Sequence, residues 1–263
     1  MILLSPAQSS LSESAVKRFL SAALKLRVRL VLRSMRDCQS GHRGRLVKRS
    51  AERMSGRLQF GQVQALKSAS YADNKRHNLV QASARINQLV IQPGEIFSFW
   101  ALVGEPSARK GYLPGRTLVN GRLQAEYGGG LCQLSGLIYY VALQAGVEIV
   151  ERYPHSVDIY TDETRFTPLG SDATVVYGYK DLRVLNSLSH AIAFNVRLEP
   201  DEIVGELWAA EAVVRFSVEF ETVRRDRAIE VITRRRSNSE SPAEVVTVSH
   251  YRLPQNANLH AIG

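Results

Sequence analysis

Cysteine is scarce in this chain: Cys38 and Cys132 are the two in 263 residues. A disulfide framework is therefore excluded, and two free thiols in a reducing compartment are expected. No close ligand pair of the Cys-x-x-Cys or His-x-x-x-His kind occurs, and the glycines at 128–130 lack the Lys-Ser/Thr pair of a phosphate loop. Neither a metal nor a cofactor is expected. No apolar run is long enough to span a bilayer. The run Met1-Ile2-Leu3-Leu4 is too short for the apolar core of a signal peptide and precedes the basic residues instead of following them. The expectation is a cytoplasmic protein, associated with the membrane, if at all, at its inner face. Internal repeats are missing too.

Acidic residues are nearly missing from the first 60 positions, which hold 13 Lys and Arg against 3 Asp and Glu; the remainder holds 21 against 22. The formal charge of +9 thus resides in an N-terminal arm on a nearly neutral body. In that arm Val16, Phe19, Leu20, Ala23, Leu24, Val31 and Met35 share one helical face, with Lys17, Arg18, Lys25, Arg29, Arg33 and Arg36 around it. Such a helix suits peripheral contact with an anionic membrane through residues 14–57, or docking on a partner. Nucleic acid is not an expected partner, because no recognition motif accompanies the charge and aromatics are not interleaved with it. The overall 44% hydrophobic and 22% charged residues are the balance of a globular chain long enough to bury a core.

Three segments follow from patterning: the basic helical arm at 1–60, an α+β body at 61–222, and a basic tail at 223–263. Apolar spacing predicts a helix over 72–89, with Arg76, His77 and Asn78 on its polar face. Gln92-Pro93-Gly94-Glu95 is a turn leading into the β-prone, aromatic Ile96-Phe97-Ser98-Phe99-Trp100. Asn120-Gly121 between apolar flanks marks a hairpin within 111–126. Strands are expected over 147–151, 172–177, 181–186, 193–198, 202–208 and 213–221. From Arg224, through Arg234-Arg235-Arg236 to Pro242, the chain reads as a linker to a terminal strand at 244–253. The fold class is α+β: N-terminal helices and a central helix, packed on a mainly antiparallel sheet.

That central helix begins at the most informative stretch, Tyr127-Gly128-Gly129-Gly130-Leu131-Cys132-Gln133-Leu134-Ser135. Leu134, Leu137, Ile138, Val141, Ala142 and Ala145 recur at helical spacing and stop at Gly146. Cys132 therefore sits in a first helical turn, where unpaired N–H groups and the helix dipole favour a thiolate. The same position also suits a small residue at a tight packing point. Acyl transfer through a thiolate needs a base and a group to orient it. His155, after Pro154, and Asp172 are the candidates. His155 would move the proton and Asp172 would fix its tautomer. Backbone N–H groups near Cys132, with the Gln133 side chain, would form an oxyanion hole.

Four blocks in this order, residues 93–100, residues 128–135, His155 and residues 172–175, resemble the VanW family over roughly 71–208. Some members of that family are associated with L,D-transpeptidase activity through a cysteine. The resemblance implies Cys132 as nucleophile, Gly128, Gly129, Gly130, Gln133 and Ser135 as the surrounding binding block, and a cell-wall precursor or related peptide as substrate. The roles of His155 and Asp172 come from the residue argument above. A cell-wall transpeptidase works outside the membrane, whereas this sequence shows neither a signal peptide nor a wall-binding module. The competing expectation is a non-catalytic protein that binds a ligand or partner at the glycine block, accessory to envelope or glycopeptide-resistance functions.

Overall fold

The computed structural model describes residues 22–50, 52–66, 71–119, 122–157, 167–226 and 228–253. It divides into two compact units, Met1–Arg43 and Gly44–Gly263. In the first, helix α1 (Ala22–Gln39) carries Arg36 in its last turn, where a cation complements the helix dipole. Leu24, Val28, Val31, Leu32 and Met35 are exposed on it. The residues of the expected arm helix that precede Ala22, Val16 to Leu20 among them, lie outside the described residues. Cys38 and Cys132 are both free thiols.

The second unit has the expected α+β character. Strands β1 (Arg57–Ala65), β7 (Ile192–Leu198) and β8 (Glu202–Ala209) form an antiparallel sheet in the order β1-β8-β7. The central helix α4 (Leu131–Gln144) packs against β1 and β8. Leu137 seats there on Gly205, where a Cβ would fall 2.7 Å from the leucine Cγ. A second sheet runs β2 (Ile96–Ser98), β6 (Arg183–Leu185), β5 (Glu148–Glu151). Hairpin β3–β4 (Pro114–Val119, Arg122–Tyr127) pairs Val119 with Arg122, the register of a two-residue loop. Asn120 and Gly121 themselves lie outside the described residues. The core gathers Leu79, Phe97, Phe99, Leu134, Leu137, Ile138, Phe194 and Leu207, all 2% exposed or less.

Four sequence expectations are corrected. Helix α2 (Ala72–Ser83) stops short of 89: Gln88 takes φ +56 and its N–H donates to Phe194 O at 2.9 Å, tying the chain to β7. Asn78, placed on the polar face, is fully buried. The strand expected over 96–100 ends at Ser98, because Ser98 Oγ accepts from Ala101 N at 3.2 Å and Asp181 Oδ1 accepts from Trp100 N at 3.0 Å. These two caps begin the short helix α3 (Phe99–Val103).

The fourth correction concerns the tail. The stretch read as a linker is β10 (Ala228–Arg236), the centre of a third antiparallel sheet, with β9 (Ser217–Arg224) and β11 (Glu244–Arg252) on either side. Alternate residues Ile229, Val231, Thr233 and Arg235 face inward. Buried Arg235 is satisfied there by Val147 O at 2.7 Å and by Glu244. Strand β9 also starts four residues later than expected and ends three later.

Candidate functional site

The three glycines bring the chain into α4 at a cost only glycine can meet. Gly128 and Gly130 have φ +83 and +99. A Cβ at Gly128 would fall 2.6 Å from Pro106 Cβ, one at Gly129 2.3 Å from the Gly115 carbonyl carbon, and one at Gly130 2.6 Å from Lys75 Cγ. A Cβ on any of the three glycines would thus meet the protein's own atoms. Asn78 locks the turn from below. Its Nδ2 donates to Leu113 O and Gly129 O, and its Oδ1 accepts from Leu113 N, all at 2.8 to 3.1 Å.

Leu131 N donates to Gly128 O and Gln133 N to Gly130 O, so the turn takes up these two of the N–H groups near Cys132. The side chain of Gln133 donates through Nε2 to Ala65 O at 2.9 Å, toward β1. Ser135 is fully buried and its hydroxyl bonds Ala173 O at 2.6 Å and Cys132 O at 3.2 Å. Its observed role is to fasten α4 to the segment 171–175. Gly136, one residue on, lets the backbone of Asp172 and Ala173 approach to 3.4 Å from where its Cβ would be.

Among the described residues the segment 171–175 has no partner strand, contrary to the strand expected from Asp172. Its backbone polar groups are met individually: Thr174 N donates to Tyr153 O, Ala173 O accepts from Ser135, and Asp172 O accepts from Arg152 Nε. Lying between α4 and the residues after β5, it brings Cys132, His155 and Asp172 into one neighbourhood. The Cys132 thiol points at Val175 O, 3.8 Å away, and is half-buried.

Asp172 is the hub. Oδ2 accepts from the His155 backbone N–H at 2.7 Å and lies 2.6 Å from His155 Nδ1; Oδ1 accepts from Arg152 Nη2 at 2.9 Å and from the Tyr251 hydroxyl at 2.5 Å. Arg152, its side chain 2% exposed, also donates to Gly170 O and Ser249 Oγ, and its guanidinium lies 4.9 Å from the centre of the Tyr139 ring.

Burial opposes charge on both titrating partners. Desolvation would lower the His155 pKa, yet hydrogen bonds to Asp172 and Cys132 and the charges of both outweigh it and raise it to about 10. Burial would likewise raise Asp172, but His155, the Arg152 guanidinium and Tyr251 hold its carboxyl well below the usual carboxylate range. His155 is therefore an imidazolium at neutral pH, facing a carboxylate on one side and Cys132 on the other.

Arg152, Tyr251 and Ser249 escaped the sequence reading, and Asn78 entered it only as a polar-face residue. Only a buried cation opposite Asp172 would have betrayed Arg152, and burial cannot be read from an arginine in an otherwise polar run. Among the described residues no group of His, Cys, Asp and Glu has an arrangement able to hold a metal ion, and no helix is long and apolar enough to cross a membrane.

Residues 74–208 match a protein family described as VanW like protein, and that span is just over half of the chain. The chain belongs to the VanW family. Over 139 residues it is 37% identical to the Vancomycin B-type resistance protein VanW of Enterococcus faecalis (strain ATCC 700802 / V583), covering 53% of this chain and 50% of that protein. Over 140 residues it is 31% identical to the Uncharacterized protein YoaR of Bacillus subtilis (strain 168), covering 53% of this chain and 45% of that one. The matched region thus spans about half the length of these curated relatives. No solved structure matches. Cys132, Arg152, His155 and Asp172 fall inside the VanW region; Ser249 and Tyr251 fall outside it.

Proposed function

We propose that Cys132, His155 and Asp172 are nucleophile, proton carrier and orienting carboxylate of an acyl-transfer site acting on a cell-wall-related peptide. The observation that carries this reading is the imidazole of His155, held through Nδ1 by a fixed carboxylate while it also interacts with Cys132. With Nδ1 occupied, Nε2 is the ring atom left to serve the sulfur. With His155 protonated at neutral pH, Cys132 faces an imidazolium, and the species that reacts is the thiolate paired with it.

The sulfur attacks the amide carbonyl, and a C–S bond forms. As the C–N bond breaks, the leaving nitrogen takes the proton from His155. The resulting thioester is attacked by an acceptor amine or by water, which returns a proton to His155 as Sγ leaves as thiolate. Transpeptidation follows this sequence with an amine acceptor; hydrolysis follows it with water.

Cys38 provides an internal reference for the test, since it is exposed. At about pH 7, iodoacetamide is expected to alkylate Cys132 about ten-fold faster than Cys38 by peptide mass mapping, and His155→Gln should remove that advantage. Equal rates at the two thiols would sink the nucleophile reading and leave Cys132 a packing residue. Incubation with a cell-wall stem peptide should then leave an acyl adduct on the intact protein that Cys132→Ala abolishes.

For helix α1 we propose peripheral contact with an anionic membrane, supported by the exposed Leu24, Val28, Val31 and Met35 at helical spacing beside Lys25, Arg29 and Arg33. Binding to vesicles containing anionic lipid is expected to be weak and salt-sensitive, and Arg29→Glu with Arg33→Glu should remove it. Unchanged sedimentation with the vesicles would refute this contact.

A further inference from the structure

Strand β11 lies beyond the VanW region, yet three of its residues reach the site. The Tyr251 hydroxyl donates to Asp172 Oδ1 and accepts from Arg152 Nη2 at 3.1 Å; Ser249 Oγ accepts from Arg152 Nη1. Arg252 N donates to Ser156 O at 3.1 Å, and Arg252 makes a parallel bridge with Val157, so the strand also holds the residues that directly follow His155. A fourth tie, Tyr139 to Thr247 Oγ1 at 3.4 Å, joins β11 to α4 itself.

We infer that β11 is a working part of the site, and that Tyr251 is a positioning residue which sets the charge that Asp172 presents to His155. The inference rests on the reading of Cys132, His155 and Asp172 given above. It follows from the sharing of one carboxylate among four donors. Two of these, on Oδ2, belong to His155; the other two, on Oδ1, are Arg152 and Tyr251. Each donor on Oδ1 draws negative charge from the oxygen that faces the imidazole. Burial and the Asp172 charge both push the Tyr251 hydroxyl above its ordinary range, so it remains a donor throughout the accessible pH range. Among the described residues, His155 meets Cys132 from α4 and Asp172 from the segment 171–175, and Asp172 in turn meets Arg152, which follows β5, and Tyr251 from β11.

Tyr251→Phe keeps the ring that packs with Ile229 and Val231 and removes only the hydroxyl. Three donors still hold the carboxylate, so its position survives while its charge becomes less shared. The titration of His155, followed by NMR in the full chain and assigned with His155→Gln, is expected to move up by about half a pH unit. Val231→Ala loosens the same packing without reaching Asp172 and should leave that titration unchanged. A shift in Tyr251→Phe alone supports the inference. A shift in both variants, or in neither, overturns it. The alkylation comparison between wild type and His155→Gln is read separately: if His155→Gln leaves Cys132 unchanged, the nucleophile reading fails whatever Tyr251→Phe does.

Discussion

Asp172→Asn is expected to destabilise the protein by about 3 kcal/mol at neutral pH, because it leaves the guanidinium of Arg152, 2% exposed, without its counter-charge. Carbonyl and hydroxyl partners remain for Arg152, which places the loss at the lower end for a broken buried pair. The pH dependence follows from the two shifts. The Asp172 carboxyl is held below its ordinary range, so its contribution is present above an unfolded pKa of about 4 and is lost as pH falls below it. The His155 pKa is raised, so its contribution is complete below an unfolded pKa of about 6.5 and disappears as pH rises through about 10. The stability difference between wild type and Asp172→Asn should therefore be widest between about pH 4 and 6.5 and shrink on both flanks. Denaturant midpoints at acid, neutral and alkaline pH measure it. A difference independent of pH would mean that packing, and not charge, holds the hub together.

Gly129→Ala is expected to cost more than about 3 kcal/mol, although alanine is the smallest possible addition. The new methyl would stand 2.3 Å from the carbonyl carbon of Gly115 and 2.4 Å from its Cα, and backbone on both sides cannot rotate away as a side chain would. Relief requires β3 to move off the turn, which also strains the bonds from Asn78 to Gly129 O and Leu113. Gly44→Ala is the control: nothing lies within 4 Å of a Cβ there, and its effect should stay within about 0.5 kcal/mol. Thermal melts of the two variants test the contrast. Similar melting temperatures would show that β3 and the turn accommodate each other.

What the sequence disclosed follows from which residues carry the signal. Helix α4 was legible because its buried positions are apolar and regularly spaced, and because Gly146 ends the pattern. The hairpin was legible because Asn-Gly is a local instruction. Strand β10 was concealed because its inward positions include Thr233 and Arg235, whose burial depends on Val147 O and Glu244, both remote in sequence. Three successive arginines therefore resembled a solvated linker. The segment from Asp172 misled in the opposite direction. It alternates like a strand, but side chains of Ser135 and Arg152 take its carbonyl groups where a neighbouring strand would have done so. All three members of the candidate triad could be named from motif and order. The groups that govern their charge could not, since Arg152 and Tyr251 become relevant only through folding.

The separation of 79 residues between Asp172 and Tyr251 has a meaning in time as well as space. A chain leaving the ribosome completes the glycine turn, α4 and the first sheet long before β11 exists. At about 5–20 residues per second, several seconds pass before the last hydroxyl can reach the carboxylate. During that interval the nascent protein carries a cysteine whose histidine partner is not yet fully governed. The set of four donors on Asp172 is therefore complete only after β11 has been synthesised.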